Sequence, residues 1–324
     1  MQIPAMRPRS YARITLACLV LLALIVVTGA AVRLTGSGLG CPDWPTCEND
    51  RVVAPLEYHA WVEFGNRLVT GVVAVAVMVG VLGALVRSPR RRDLTWLSIS
   101  LVLGVIGQAV LGGISVLHRL DPKYVMAHFL LSMAIIWAAV VLHHRAREDD
   151  GRRVPVTSAG QRLLARAMGA VGGIVLLVGT MVTGTGPHGG DEHVHRLGFA
   201  PHAITKVHGA FVWLLVLLTV ASLWGLKRSA ATSTLVRRGE VVMVALLVQA
   251  AIGYFQYATD LPPMLVLLHV AGATAVWIAL LWYNLGFFET YGAIDLAVHD
   301  DERGGLPSAD DLAAAVGPGE PLAR

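Results

Sequence analysis

Charge is what this sequence has least of. Only 15% of its 324 residues are Asp, Glu, Lys or Arg, against 55% hydrophobic, and the mean hydropathy is +0.62. A soluble chain of this length carries far more charge, so a soluble globular protein is excluded and a polytopic membrane protein is indicated. Cysteine is scarce too, with 3 in the chain. Two of them, Cys41 and Cys47, share one loop, and no matching second ligand pair is present to complete a zinc site. The third, Cys18, lies inside an apolar run and reads as packing. A cleavage site of small residues is also missing after the first apolar run. That run is longer than a signal-peptide core, so it counts as a true span.

What is present is a series of apolar runs long enough to cross a bilayer, at roughly 14–32, 63–86, 94–117, 124–144, 162–185, 204–226, 239–258 and 264–288. Helices satisfy their own backbone in lipid, so the expected class is all-α with eight transmembrane helices. Basic residues cluster in alternate loops. Arg7, Arg9 and Arg13 precede the first span, and Arg87, Arg90, Arg91 and Arg92 follow the second. Arg145, Arg147, Arg152 and Arg153 follow the fourth, while Lys227, Arg228, Arg237 and Arg238 separate the sixth and seventh. The positive-inside rule then puts both termini in the cytoplasm of a plasma-membrane protein. The net charge of +4 reports this topology, and a nucleic-acid partner is set aside.

The chain repeats itself. Gln108 to His128 reads QAVLGGISVLHRLDPKYVMAH, and Gln249 to His269 reads QAAIGYFQYATDLPPMLVLLH, with the same spacing from Gln to His. Each copy runs from an apolar helix through a polar turn into another helix. A histidine repeated at one depth of two membrane helices points to a ligand pair, heme iron being the leading candidate; a hydrogen-bonded core histidine is the bland alternative. His208 opens the sixth span as His269 opens the eighth, so the two imidazoles could bind one iron from both sides of a porphyrin. Every even-numbered span thus carries a special residue at similar depth: Asn66, His128, His208 and His269. His143 and His144, beside Arg145, read as solvated interfacial residues, and Gly112-Gly113 as simple helix packing.

The loop Cys41-Pro-Asp-Trp-Pro-Thr-Cys47 faces the oxidising side, where its cysteines are either a staple or a redox-active pair. His59, Glu63 and Asn66 share one face of the second span, with Arg67 beside them. A carboxylate inside a membrane helix is costly and is a functional candidate by default. Its alternative is a Glu63–Arg67 pair that neutralises itself, and Arg67 could also contact a cofactor propionate. The Gly- and His-rich stretch 186–195 fits no specific metal spacing and reads as a loop covering a ligand.

Together the Cys-Pro-Asp-Trp-Pro loop, Glu63-Phe-Gly-Asn-Arg67, the two Gln-to-His segments and His208 resemble the heme A synthases of bacterial and mitochondrial membranes, in an actinobacterial-like variant. The resemblance spans nearly all of the membrane portion. It implies two four-helix bundles related by a pseudo-two-fold axis, each with a heme pocket near the outer face. Residues 1–147 would form the half with the substrate pocket and the cysteine loop, and 148–161 a cytoplasmic linker. Residues 162–290 would form the half with the heme b pocket, and 291–324 a disordered tail. The implied reaction oxidises the C8 methyl of heme O to the formyl group of heme A, with oxygen drawn from water. His208 and His269 would hold heme b, His128 the substrate heme, and Glu63 would be the acid/base. Cys41 and Cys47 would serve redox steps or heme handling. Implied partners are heme O, membrane lipid, the heme O synthase, a redox partner and a second copy of the chain.

One position departs from that family. Where a histidine is usual, three residues after the glutamate, this chain has Asn66, and an amide is a poor iron ligand. Substrate heme would then be held through His128 alone, or with His59 reaching in. The first is favoured, because His59 stands about 10 Å along the helix. Two other classes share the histidines: a diheme b-type cytochrome passing electrons from quinol, and a heme or metal transporter. Neither needs Glu63 or the cysteine pair.

Overall fold

Prolines and polar caps decide where most of the helices start. In the computed structural model, which describes residues 5–49, 51–191, 193–229 and 231–291, α1 (Pro8–Leu34), α4 (Pro122–Arg147), α6 (Pro201–Arg228) and α8 (Pro263–Leu285) each open on proline. A missing N–H costs nothing in the first turn. Asp121 caps α4 by accepting from the Lys123 amide. Ser158 and Thr232 do the same for α5 (Ala159–Thr185) and α7 (Ser233–Ala258). The remaining two are α2 (Tyr58–Val86) and α3 (Arg92–Leu117). Among the described residues these 8 helices are long and apolar enough to cross a membrane. The chain is a multi-pass, all-α membrane protein.

The helices outrun the apolar stretches expected for them, because the ends carrying Arg9, Arg13, Arg92 and Arg237 stay helical. The eighth span departs from expectation in the other direction. It stops at Leu285, and Phe288–Tyr291 forms β2, paired antiparallel with β1 (Arg152–Pro155). The expected linker between the halves is therefore stitched to the end of α8. The tail beyond Tyr291, expected to be disordered, lies outside the described residues.

Helices α1 to α4 pack as one four-helix bundle and α5 to α8 as another. The seam uses α4 against α8, α1 against α8 and α4 against α5, the contacts a two-fold relation between halves requires. Across it the Trp277 indole donates to the Met133 carbonyl at 3.0 Å. Lipid-facing positions such as Leu68, Val72, Leu103, Leu217 and Val244 are exposed. In water so much apolar surface would aggregate, whereas hydrocarbon accepts it.

The internal repeat is visible in the backbone itself. The α3–α4 turn places Arg119 and Leu120 at φ 52° and 58°, and the α7–α8 turn places Asp260 and Leu261 at 58° and 59°. In both turns a left-handed residue returns its N–H to the preceding helix, Leu120 to Ser115 and Leu261 to Gln256, each at 2.8 Å. This closure uses carbonyls left free at a helix end. One correction concerns His143 and His144, expected to be solvated. Both are buried against Trp282, with His143 bonded to Thr15 and His144 beside Glu148, because the second half covers this end of α4.

Candidate functional site

Asn66, His128, His208 and His269 stand about two turns in from the first residues of α2, α4, α6 and α8, all toward the face that carries the Cys41–Cys47 loop. Each is fronted by a glycine of the preceding helix. A Cβ on Gly112 would lie 3.2 Å from the His128 ring, one on Gly179 3.2 Å from His208, and one on Gly253 3.0 Å from His269. For Gly29 the corresponding atom would be 4.0 Å from the Asn66 amide. A side chain at any of the three tight positions would push the imidazole aside. Sequence reading treated Gly112 as packing and passed over the others. The signal was available in the repeat, where Gln108-x-x-x-Gly112 recurs as Gln249-x-x-x-Gly253.

The repeated glutamines hold the backbone that carries the histidines. Gln108 donates to the His128 carbonyl at 3.0 Å and to Ser132 at 2.7 Å, and Gln249 donates to the His269 carbonyl at 2.8 Å. The rings themselves are poorly satisfied. Among the described residues the Nδ1 atoms of His128 and His269 are buried with no hydrogen-bond partner. Burying an imidazole nitrogen without a partner is unfavourable. Half-buried imidazoles, each packed on a glycine of the neighbouring helix, fit an iron porphyrin as a donor set. The first half differs. The Thr28 hydroxyl donates to Asn66 Oδ1 at 2.8 Å, so the amide is engaged and offers no imidazole.

Glu63 lies on α2 one turn from Asn66, only 6% exposed. Its Oε2 accepts from the Cys41 amide at 2.7 Å and its Oε1 from Arg67 at 2.7 Å. Arg67 also donates to the carbonyls of Thr46, Cys41 and Asp43, so its Nη1 and Nη2 atoms tie the loop to α2. Cys41 and Cys47 are joined in a disulfide and fully buried. Their loop lays Trp44 against Gly113, where an added Cβ would meet the indole at 2.6 Å, next to the glycine that fronts His128. His59 bonds Ser37 at 2.9 Å, and its backbone packs under Gly40. It therefore braces the loop. Thus α2 and the disulfide loop bring Glu63, Arg67, Cys41 and Cys47 together one turn from Asn66, and the same loop lays Trp44 on α3 beside the glycine that faces His128.

Comparison with known proteins places the chain in a family. The model of the COX15-CtaA family, described as cytochrome oxidase assembly protein, matches residues 12–281. The chain belongs to that family. It is 35% identical over 141 residues to a heme A synthase of Geobacillus thermodenitrificans, covering 43% of either chain. It is also 33% identical over 120 residues to a heme A synthase of Lysinibacillus sphaericus, covering 37% of this chain and 39% of the relative. A longer alignment, 26% identical over 244 residues, relates it to a heme A synthase of Halalkalibacterium halodurans and spans 71% of this chain and 81% of the relative. The alignments of higher identity thus cover less than half the length of those relatives.

Proposed function

We propose that this protein is a heme A synthase, an oxidoreductase that converts the C8 methyl of heme O to a formyl group. The observation that carries the reading is a buried carboxylate, Glu63, one turn from Asn66 and bonded to the Cys41 amide in one half of the chain, while the other half sets His208 and His269 at matching depth, each fronted by a glycine. Support comes from the family match and from relatives named heme A synthase. His208 and His269 would hold heme b, and His128 would hold the substrate heme. Heme b supplies one-electron redox chemistry when bound.

The remaining work belongs to side chains of this protein. Methyl-to-formyl oxidation takes its oxygen from water and releases electrons and protons, so the reacting carbon needs a proton acceptor. Glu63 is that acceptor. The Cys41 amide and the Arg67 guanidinium hold its two carboxylate oxygens in a low-dielectric setting. It takes a proton once one of those donors yields. Trp44 and the disulfide loop screen the pocket from bulk water, and Gly112 keeps the His128 ring free to ligate. The basic loops orient the termini to the cytoplasm and this site to the outer half of a plasma membrane. Heme O then arrives from the lipid side, handed over by the farnesylating enzyme, and electrons leave to a redox partner.

The test is pigment extraction from cells that make heme O and express the chain. Heme A should accumulate with the native protein and vanish with Glu63→Gln, while bound heme b stays at its native level. A native protein that binds heme b but leaves heme O unchanged would transfer the assignment to an electron-transferring diheme cytochrome.

A further inference from the structure

We propose that Arg33 is the anchor for a propionate carboxylate of the tetrapyrrole in the first-half pocket, and that it joins this pocket to the second half. The inference rests on the heme reading above. Arg33 lies one turn beyond Gly29 on the same face of α1, toward the cysteine-loop side. Gly29 fronts Asn66, so Arg33 sits above the rim of the Asn66–His128 pocket. Its Nη2 crosses to α5 and donates to the Thr183 carbonyl at 3.0 Å. Thr183 is itself one turn beyond Gly179, the glycine that fronts His208. One guanidinium thus stands between the rims of both pockets.

This cation is under-used. Its Nε is buried with no partner, and the fork offers five donors. Among the described residues the charge acting on it is another cation, Arg196, whose own Nη2 is bonded to the Pro187 carbonyl. Loop 186–190 closes over the arginine, with Gly190 (φ +103°) against its Cγ and the Gly38 amide bonded to the Gly190 carbonyl at 3.0 Å. A half-buried guanidinium whose buried Nε has no partner, with only a like charge beside it among the described residues, is unfavourable unless an anion completes it. A carboxylate does so in bidentate fashion. Propionates are the carboxylates a heme brings, and Arg33 stands one turn beyond the glycine that fronts Asn66. A phospholipid phosphate offers related chemistry, so the test must separate the two.

Purified protein carrying its resident heme, in phosphatidylcholine nanodiscs, is titrated by absorbance with ferric heme b and with its dimethyl ester. The native protein should bind the free acid about ten- to a hundredfold more tightly than the ester. Arg33→Gln should erase that preference, and Arg33→Lys should keep part of it, as a point charge without the fork. Resident heme at its native level in each variant shows that the fold is intact. An unchanged preference in Arg33→Gln overturns the proposal. So does a loss of preference in the native protein on adding phosphatidylglycerol, which assigns the cation to a lipid headgroup. A native protein that holds and takes up no heme of either kind would instead overturn the heme reading itself.

Discussion

The two halves share one plan and part company at a few side chains. Both set a glutamine under the carbonyl of a histidine and a glycine against its ring. The second half completes the plan with a second imidazole, His208. The first half replaces it with Asn66, held by Thr28, and adds Glu63, Arg67, Trp44 and a disulfide loop. The repeat sets Asn66 and His128 in one half, and His208 and His269 in the other, at matching depth, and the halves differ in whether the first of each pair is an amide or an imidazole.

Removing the carboxylate is the sharpest way to break this comparison. Glu63→Gln should lower heme A formation by about a hundredfold or more while heme b content is unchanged, a range typical of a positioned acid/base group. The measure is heme A against heme O in extracted pigments; equal loss of heme b would mean the halves are not functionally separate. Next in size is His269→Ala, which should strip heme b from the purified protein, read from its reduced absorption spectrum.

A glycine series sharpens the comparison further. Gly253→Val and Gly179→Val should also deplete heme b, because even a Cβ stands 3.0 Å and 3.2 Å from the rings. Gly29→Ala should be tolerated at 4.0 Å from Asn66. Asn66→His would make the first pocket like the second: added ferric heme should turn from high to low spin by electron paramagnetic resonance, and product release should slow. The smallest effect is expected for Gln249→Leu, which loses one hydrogen bond. In a membrane core that is worth about 0.6 kcal/mol, seen as a slight fall in thermal stability.

Much of this architecture was legible in one dimension. The spans, their number and the repeat followed from apolar length and spacing, because a bilayer imposes a length on any helix that crosses it. The depth shared by Asn66, His128, His208 and His269 was legible for the same reason. Illegible were contacts between helices. His143 and His144 looked solvated because they adjoin arginines, yet Trp282 of the other half covers them. The strand pair at Arg152–Pro155 and Phe288–Tyr291 joins segments too short to carry a periodic signal. Arg67 looked as able to reach a cofactor as to pair with Glu63. Only the loop's path showed its donors taken by Cys41, Asp43 and Thr46.

By itself the sequence determined that this chain crosses a membrane in a duplicated helical unit and which side chains stand near one surface, since hydropathy and helical rise are local properties. Only the tertiary structure decided which glycine faces which ring, what engages Glu63 and Asn66, and where Arg33 reaches. Those depend on how helices distant in the chain are rotated against one another, and that rotation is set by packing over the whole bundle.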